Sequence, residues 1–344
     1  MIDLRSDTVT LPSNDMKKFI IDSPLGDDVY GEDPSVNLLQ NKIAKIFNKE
    51  AALFVPSGTM ANLIAVLTHC NRGDEVILGD KSHIFYYEAG GISAFGGIHS
   101  HQLKNNDDGT ININDIKTSI RALGNDHFPK TKLICLENTH NACYGSPLNT
   151  EYFHDVKKVA NKHDLSIHLD GARIFNAAIA LNKSVDELTK DCDTISCCLS
   201  KGLSAPVGSV VLGTKAFILK AKHMRKALGG GMRQAGLIAA GAIFSLENMI
   251  DRIADDHVNA KELAYELHKI KTISINPEQV YTNIIFIYNK NTQISNKQLL
   301  NELEKNNIKI DYKGNSKFRL VTHSGFKKRD INSVVKVFKE ILKD

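Results

Sequence analysis

The chain has 344 residues, 42% of them apolar and 24% charged, and a formal net charge of +4. That length exceeds what one compact core usually takes, and the composition is that of an ordinary globular protein with a sizeable core. The small charge and the absence of a strongly basic stretch argue against a nucleic-acid partner, and no apolar run is long enough to span a bilayer.

The polar start, Met1-Ile2-Asp3-Leu4-Arg5-Ser6-Asp7, lacks the apolar run of a signal peptide. The six cysteines form no C-x-x-C pair, and four of them sit in or beside apolar runs. Reduced core thiols, no membrane and a cytoplasmic location are expected.

From about residue 35 to residue 250, helix and strand signals alternate. Ala51-Ala52-Leu53-Phe54-Val55 reads as a strand. It leads through Pro56-Ser57-Gly58 into a helix whose Met60, Leu63, Ile64 and Leu67 share a face. Strands are then expected at 75–78, 133–136, 165–169, 194–198 and 209–212. Alternation of this kind implies a largely parallel sheet covered on both faces. The last two strands are too close for a helical crossover, so an antiparallel pair around Lys201 is expected. A helical stretch from Gln234 to about Ile270, broken near Asp255, leads into a tail with strands at 284–287, 308–310 and 318–321. Helices are expected at 296–305 and from about Asp330. The expected division is a large domain over 1–245, including the N-terminal arm, and a small α+β domain over 246–344.

Three segments stand at strand ends, where open α/β sheets place ligands. Ser57-Gly58-Thr59 opens a helix with small residues and free N–H groups, which suits a phosphate, although taken alone an empty capped helix is the commoner reading. Ile167-His168-Leu169-Asp170-Gly171-Ala172-Arg173 ends a strand in a carboxylate. That carboxylate could hold a protonated ring nitrogen or simply cap the next element. A metal reading of His168-x-Asp170 is weak, because the ligands are too few and Arg173 would repel a cation, so none is expected. His168 itself reads as a satisfied core histidine, and His69, His154, His163 and His223 as surface or packing residues. Leu199-Ser200-Lys201-Gly202-Leu203 puts a lysine beside a buried strand, which is costly unless the amine is paired, neutral or covalently used. Separately these are weak signals. Together they make the donor set of pyridoxal 5'-phosphate: a phosphate cradle, an acid for the ring nitrogen and a Schiff-base lysine. Gly208 to Lys215 carries P-loop glycine spacing, but Lys and Thr are reversed and the segment is a strand.

Beyond these, Asp3-Leu4-Arg5-Ser6-Asp7-Thr8-Val9-Thr10, Gly26 to Pro34, Pro56 to Asn62, Leu136 to Asn141, His168 to Arg173 and Leu228 to Gln234 resemble low-specificity L-threonine aldolases, over nearly the whole chain. The resemblance implies an aspartate-aminotransferase-like (fold type I) large domain and retro-aldol cleavage of L-threonine or L-allo-threonine to glycine and acetaldehyde. It also implies a homotetramer with sites at dimer interfaces. Carried over residue by residue, it makes Lys201 the cofactor lysine and Asp170 the partner of the ring nitrogen. Gly58 and Thr59 become the phosphate holders and His83 the ring-stacking residue and candidate base. Ser6, Arg173 and Arg319 hold the substrate carboxylate, Arg173 also counting among the cofactor contacts. His127 faces the substrate hydroxyl, and Tyr30 and the cofactor-contacting Arg233 come from a neighbouring subunit. β-Elimination on the same scaffold is the nearest alternative; a non-catalytic relative is a more distant one.

Overall fold

The computed structural model describes residues 1–343. In chain order its strands are β1 (Ile2–Asp3), β2 (Ala51–Val55), β3 (Glu75–Gly79), β4 (His99–Leu103), β5 (Thr131–Glu137), β6 (Ser166–Asp170), β7 (Thr194–Cys198), β8 (Ser209–Gly213), β9 (Ile273–Ser274), β10 (Ile284–Asn289), β11 (Ile308–Lys309), β12 (Asp311–Tyr312) and β13 (Lys317–Val321).

Seven of them form the main sheet in the order β2-β8-β7-β6-β5-β3-β4. The run from β4 to β7 is parallel, and β7–β8 and β8–β2 are antiparallel. Alternate residues of one strand serve two cores. Ile134 and Leu136 of β5 join Phe153, Val156 and Ile243, whereas Leu133 and Cys135 join Leu63, Val66 and Val76. A strand buried on both faces needs an unbroken apolar run, which is why these strands were legible.

The C-terminal unit is a four-stranded antiparallel sheet, β12-β13-β10-β9. Leu263 and Leu267 from helix Ile253–His268, Leu299 from helix Asn296–Lys305 and Phe338 from helix Lys328–Leu342 pack with Ile285, Ile287 and Phe318 of the sheet. Helix Asn296–Lys305 starts on a capping box between Ser295 and Gln298.

The structure departs from expectation at several points. The N-terminal arm does not pack wholly with the large unit: β1 pairs in parallel with β11, and the fully buried Leu4 belongs to the C-terminal core. Leu246 and Ile253 still pack in the large core, so the change of core falls inside helix Ile253–His268, past residue 245. The helical stretch breaks between Asn248 and Ile253, ahead of Asp255. All six cysteines are free and buried. No helix among the described residues is long and apolar enough to cross a membrane.

Candidate active site

The strand directions bring one set of ends together. Asp170 closes β6 level with Glu137 of β5 and Ser196 of β7, while Val55 at the end of β2 faces Ser209 at the start of β8. A cavity of about 220 Å³ opens there, lined by Gly58, Thr59, His83, Asp170 and Lys201 among others. Three sequence segments more than a hundred residues apart from first to last therefore meet at one place.

Gly58 begins helix Gly58–His69, and the Ser57 hydroxyl accepts the Met60 N–H at 3.2 Å. Ser57 is thus occupied as the cap. The first-turn N–H groups and the Thr59 hydroxyl are what remain for an anion. A Cβ on Gly58 would stand 2.6 Å from Cys198 Sγ, so only glycine leaves this cradle its shape. Next to it the Ser209 hydroxyl is buried without a partner. A cradle a methyl would fill, an orphaned hydroxyl and a nearby lysine fit a phosphate-bearing pyridine.

Lys201 follows β7, and its backbone carbonyl accepts from the Thr10 hydroxyl at 3.0 Å, which ties the N-terminal arm to the site. Its amine makes no hydrogen bond or ion pair among the described residues, yet its charge helps to lower the pKa of both Asp170 and Asp7. Asp170 is buried, and burial alone would raise its pKa. The charges of His83 and Lys201, with hydrogen bonds from Asn62 and from the Ala172 N–H, outweigh burial and keep it ionised. An anion in this position suits a protonated ring nitrogen.

His83 lies at the cavity wall with Nδ1 2.8 Å from Glu88 Oε1. Burial would lower its pKa, but the Glu88 hydrogen bond and the charges of Asp170, Glu88 and Glu137 raise it above the ordinary histidine value. Glu88 is itself raised, by burial first and by Asp170 second, despite the hydrogen bonds it receives. His83, Glu88 and Asp170 offer atoms within 4.8 Å of one another. With Lys201 lining the same cavity and the Asn62 amide hydrogens on Glu88 and Asp170, they make an acid–base cluster and a poor cation site.

Arg173 and Arg319 converge on one atom. Arg173 Nη1 and Arg319 Nη1 lie 3.4 and 2.7 Å from Asn141 Oδ1. The rest of the Arg173 fork is committed to Asp7, through Nε and Nη2 at 2.7 Å each. Asp7 is held well below the usual carboxylate range: burial opposes this, and the Arg173 charge and hydrogen bonds overcome it. Arg319 Nη2 donates to the Arg5 carbonyl at 3.0 Å, and its Nε is buried without a partner. Ser6 caps the short turn Asp7–Val9 and donates to Asp7 Oδ1 at 3.4 Å. Arg319 and Asn141 also line a larger cavity of about 370 Å³, between the large unit and β10 and β13.

Of the expected residues, Gly58, Thr59, His83, Asp170 and Lys201 line the smaller cavity; Ser6, Arg173 and Arg319 form the cluster just described, and three others lie elsewhere. His127 is exposed in the loop before β5, and that loop adjoins Thr131, which faces Glu75 at the start of β3. This is the opposite end of the sheet from Asp170, about 20 Å away along a strand of seven residues. Within one chain, His127 does not face a substrate in the cleft. Tyr30 and Arg233 lie together on the surface, with the guanidinium 6.0 Å from the ring centroid and bonded to Asp27. Conversely, Asn62, Glu88, Asp7 and Asn141 stand in the site and were not singled out from sequence. Asp7, Asn62 and Asn141 lie in segments that carry the resemblance, where they had no assigned role, and Asn62 also stands out as an amide in the otherwise apolar run Ala61-Asn62-Leu63-Ile64-Ala65-Val66.

Residues 3–291 match the family described as beta-eliminating lyase. The chain is 45% identical over 344 residues to low-specificity L-threonine aldolase 1 of Arabidopsis thaliana, covering 99% of this chain and 96% of that protein. It is 44% identical over 287 residues to the low specificity L-threonine aldolase of Escherichia coli K12, covering 83% and 84% of the two. A solved threonine aldolase structure from Leishmania major superposes with a TM-score of 0.82 at 19% identity, over 99% of this chain and all of that one, and shows the same fold. The chain belongs to the beta-eliminating lyase family and, within it, to the low-specificity L-threonine aldolases.

Proposed function

We propose that the chain cleaves L-threonine and L-allo-threonine by a retro-aldol reaction to glycine and acetaldehyde, with pyridoxal 5'-phosphate held on Lys201. The observation that carries this reading is the unpartnered Lys201 amine beside the ionised, buried Asp170 and the Gly58 cradle, in a chain that matches named threonine aldolases almost end to end.

When bound, the cofactor supplies an aldehyde for the amino group and a cationic ring that takes up the electrons of a bond breaking at Cα. Gly58 and Thr59 hold its phosphate through first-turn N–H groups and the Thr59 hydroxyl. Asp170 keeps a positive charge on the ring nitrogen. Arg319, the free edge of Arg173 and Ser6 take the substrate carboxylate, which fixes rotation about the N–Cα bond and so selects the bond that breaks. His83 accepts the β-hydroxyl proton as Cα–Cβ opens, so that Cβ becomes the carbonyl carbon of acetaldehyde; a proton returned to Cα gives glycine.

The chain works as a homotetramer in which Tyr30 and Arg233 enter a neighbour's site. His127 meets substrate only when a second chain presents its loop. A cytoplasmic enzyme with reduced, buried thiols agrees with this reading. A large and a small domain over about 1–245 and 246–344, with β1 lent to the small one, describes its organisation.

The test is incubation of the holoenzyme with threonine. Glycine and acetaldehyde in equal amounts are expected. 2-Oxobutyrate with ammonia would instead establish β-elimination, the second reading that the family description favours. Borohydride reduction followed by peptide mass mapping should place the cofactor on Lys201, and a label on any other lysine refutes the assignment.

A further inference from the structure

Glu88 is a buried carboxylate at the cavity to which the mechanism above gives no task. Its hydrogen-bonding state follows from a buried chain of polar groups behind it. Thr194 Oγ1 lies 3.0 Å from His69 Nε2 and 3.0 Å from His168 Nδ1. His168 Nε2 lies 3.1 Å from Asn62 Oδ1, and the Ser196 hydroxyl donates to the same oxygen at 2.7 Å. Burial lowers the pKa of His69 to about 4 and of His168 to about 3, so both rings are neutral and each offers one donor and one acceptor.

One direction satisfies every group. His69 Nε2–H donates to Thr194, the Thr194 hydroxyl donates to His168 Nδ1, and His168 Nε2–H donates to Asn62. The Asn62 NH2 then points the other way and donates to Glu88 Oε1 at 2.8 Å and to Asp170 Oδ2 at 2.9 Å. Turning the amide over would set its oxygen against two carboxylate oxygens, which fixes the assignment by hydrogen bonding. Glu88 Oε1 is therefore an acceptor, and the proton it shares with His83 sits on Nδ1.

We propose that Glu88 is a positioning residue that holds His83 as the Nδ1–H tautomer, which leaves Nε2 on the open edge of the ring to take the substrate's hydroxyl proton. This rests on the reading of His83 as the base. When Nε2 takes that proton, the ring becomes an imidazolium whose charge Glu88 balances. The other groups facing His83 are Asp170 at the end of β6, Glu137 at the end of β5, which accepts the His83 backbone N–H, and the Tyr87 ring at 5.5 Å; Lys201 is the cation lining the same cavity.

The test is 15N NMR of the histidine-labelled holoenzyme, with His83→Gln to assign the His83 signals among the 13 histidines. Above its titration, His83 should show a protonated Nδ1 and an unprotonated Nε2; a protonated Nε2 overturns the proposal. Glu88→Gln should lower the His83 titration midpoint by about one unit and move the acid limb of kcat/KM with it. The same variant should cut kcat about tenfold or more while KM changes little, and Glu88→Asp should restore most of the loss. An acid limb that stays in place in Glu88→Gln also overturns it, and if that variant does not fold, the wild-type spectrum still decides. Full turnover in His83→Ala would sink the base reading while leaving the tautomer result intact, so the two failures are distinguishable.

Discussion

Asp7 is spent on holding Arg173, and both side chains are buried, so the pair is worth most as a unit. Asp7→Asn strands a guanidinium without its counter-charge and is expected to cost about 3–5 kcal/mol of stability, read from denaturant unfolding. A melt within experimental error of the parent would show that Arg173 finds another anion. Gly58→Ala puts a methyl 2.6 Å from Cys198 Sγ and distorts the phosphate cradle. Cofactor affinity of the apoenzyme, titrated by absorbance, should fall about tenfold, the equivalent of one hydrogen bond lost, with little change in thermal stability. Gly58, Asp170 and Lys201 were legible in the sequence because each sits within a few residues of an apolar strand. Asp7 was not, because what identifies it is a partner far along the chain, Arg173, 166 residues away; Glu88 was not, because only the fold turns it onto His83 and Asn62 in a buried place.

At the scale of elements, the least legible pieces were the shortest. β1, β9 and β12 have two residues each, too few to show a period. β4, His99-Ser100-His101-Gln102-Leu103, is a polar edge strand with no buried residue. β1 nevertheless matters, since the Leu4 N–H donates to the Lys309 carbonyl and the Leu4 carbonyl accepts from the Val321 N–H, both at 2.8 Å. Leu4 is fully buried. Leu4→Ala is expected to cost about 2–5 kcal/mol and to raise hydrogen exchange across 308–321, hundreds of residues away in sequence. Unchanged exchange there would mean that the C-terminal sheet holds together without the arm.

For the molecule as a whole, buried histidines set the acid limit. His69, His168 and His257 have pKa values lowered to about 4, 3 and 4 by burial, against about 6.5 unfolded. Between those values the unfolded chain binds protons that the native one refuses, so stability is full above pH 6.5 and is lost as pH falls toward 4. His83 has a raised pKa, so its contribution is present below 6.5 and lost as pH rises through its folded value. Asp256, raised to about 6 by burial, likewise favours the native state as pH falls, between about 6 and 4. Glu88, also raised by burial, acts in the same direction as Asp256, and three groups against two in that window still leave a net loss on acidification. Urea midpoints should drop below pH 6.5, and His168→Gln should flatten that slope by about one proton. A midpoint that rises on acidification would reverse the assignment of the buried rings as neutral.

The sequence by itself determined the strand-and-helix alternation, the antiparallel return around Lys201 and the three segments that meet at the candidate cofactor site. Apolar period and small residues at strand ends are local properties, and a single chain states them openly. Only the tertiary structure decided that His127 stands at the far end of the sheet and that Ser57 is used up as a cap. It also aimed the Asn62 amide at two carboxylates and gave the N-terminal arm to the C-terminal core. Those outcomes depend on which distant groups meet in a water-free place, where every donor and acceptor must be matched, and no spacing along the chain encodes that pairing.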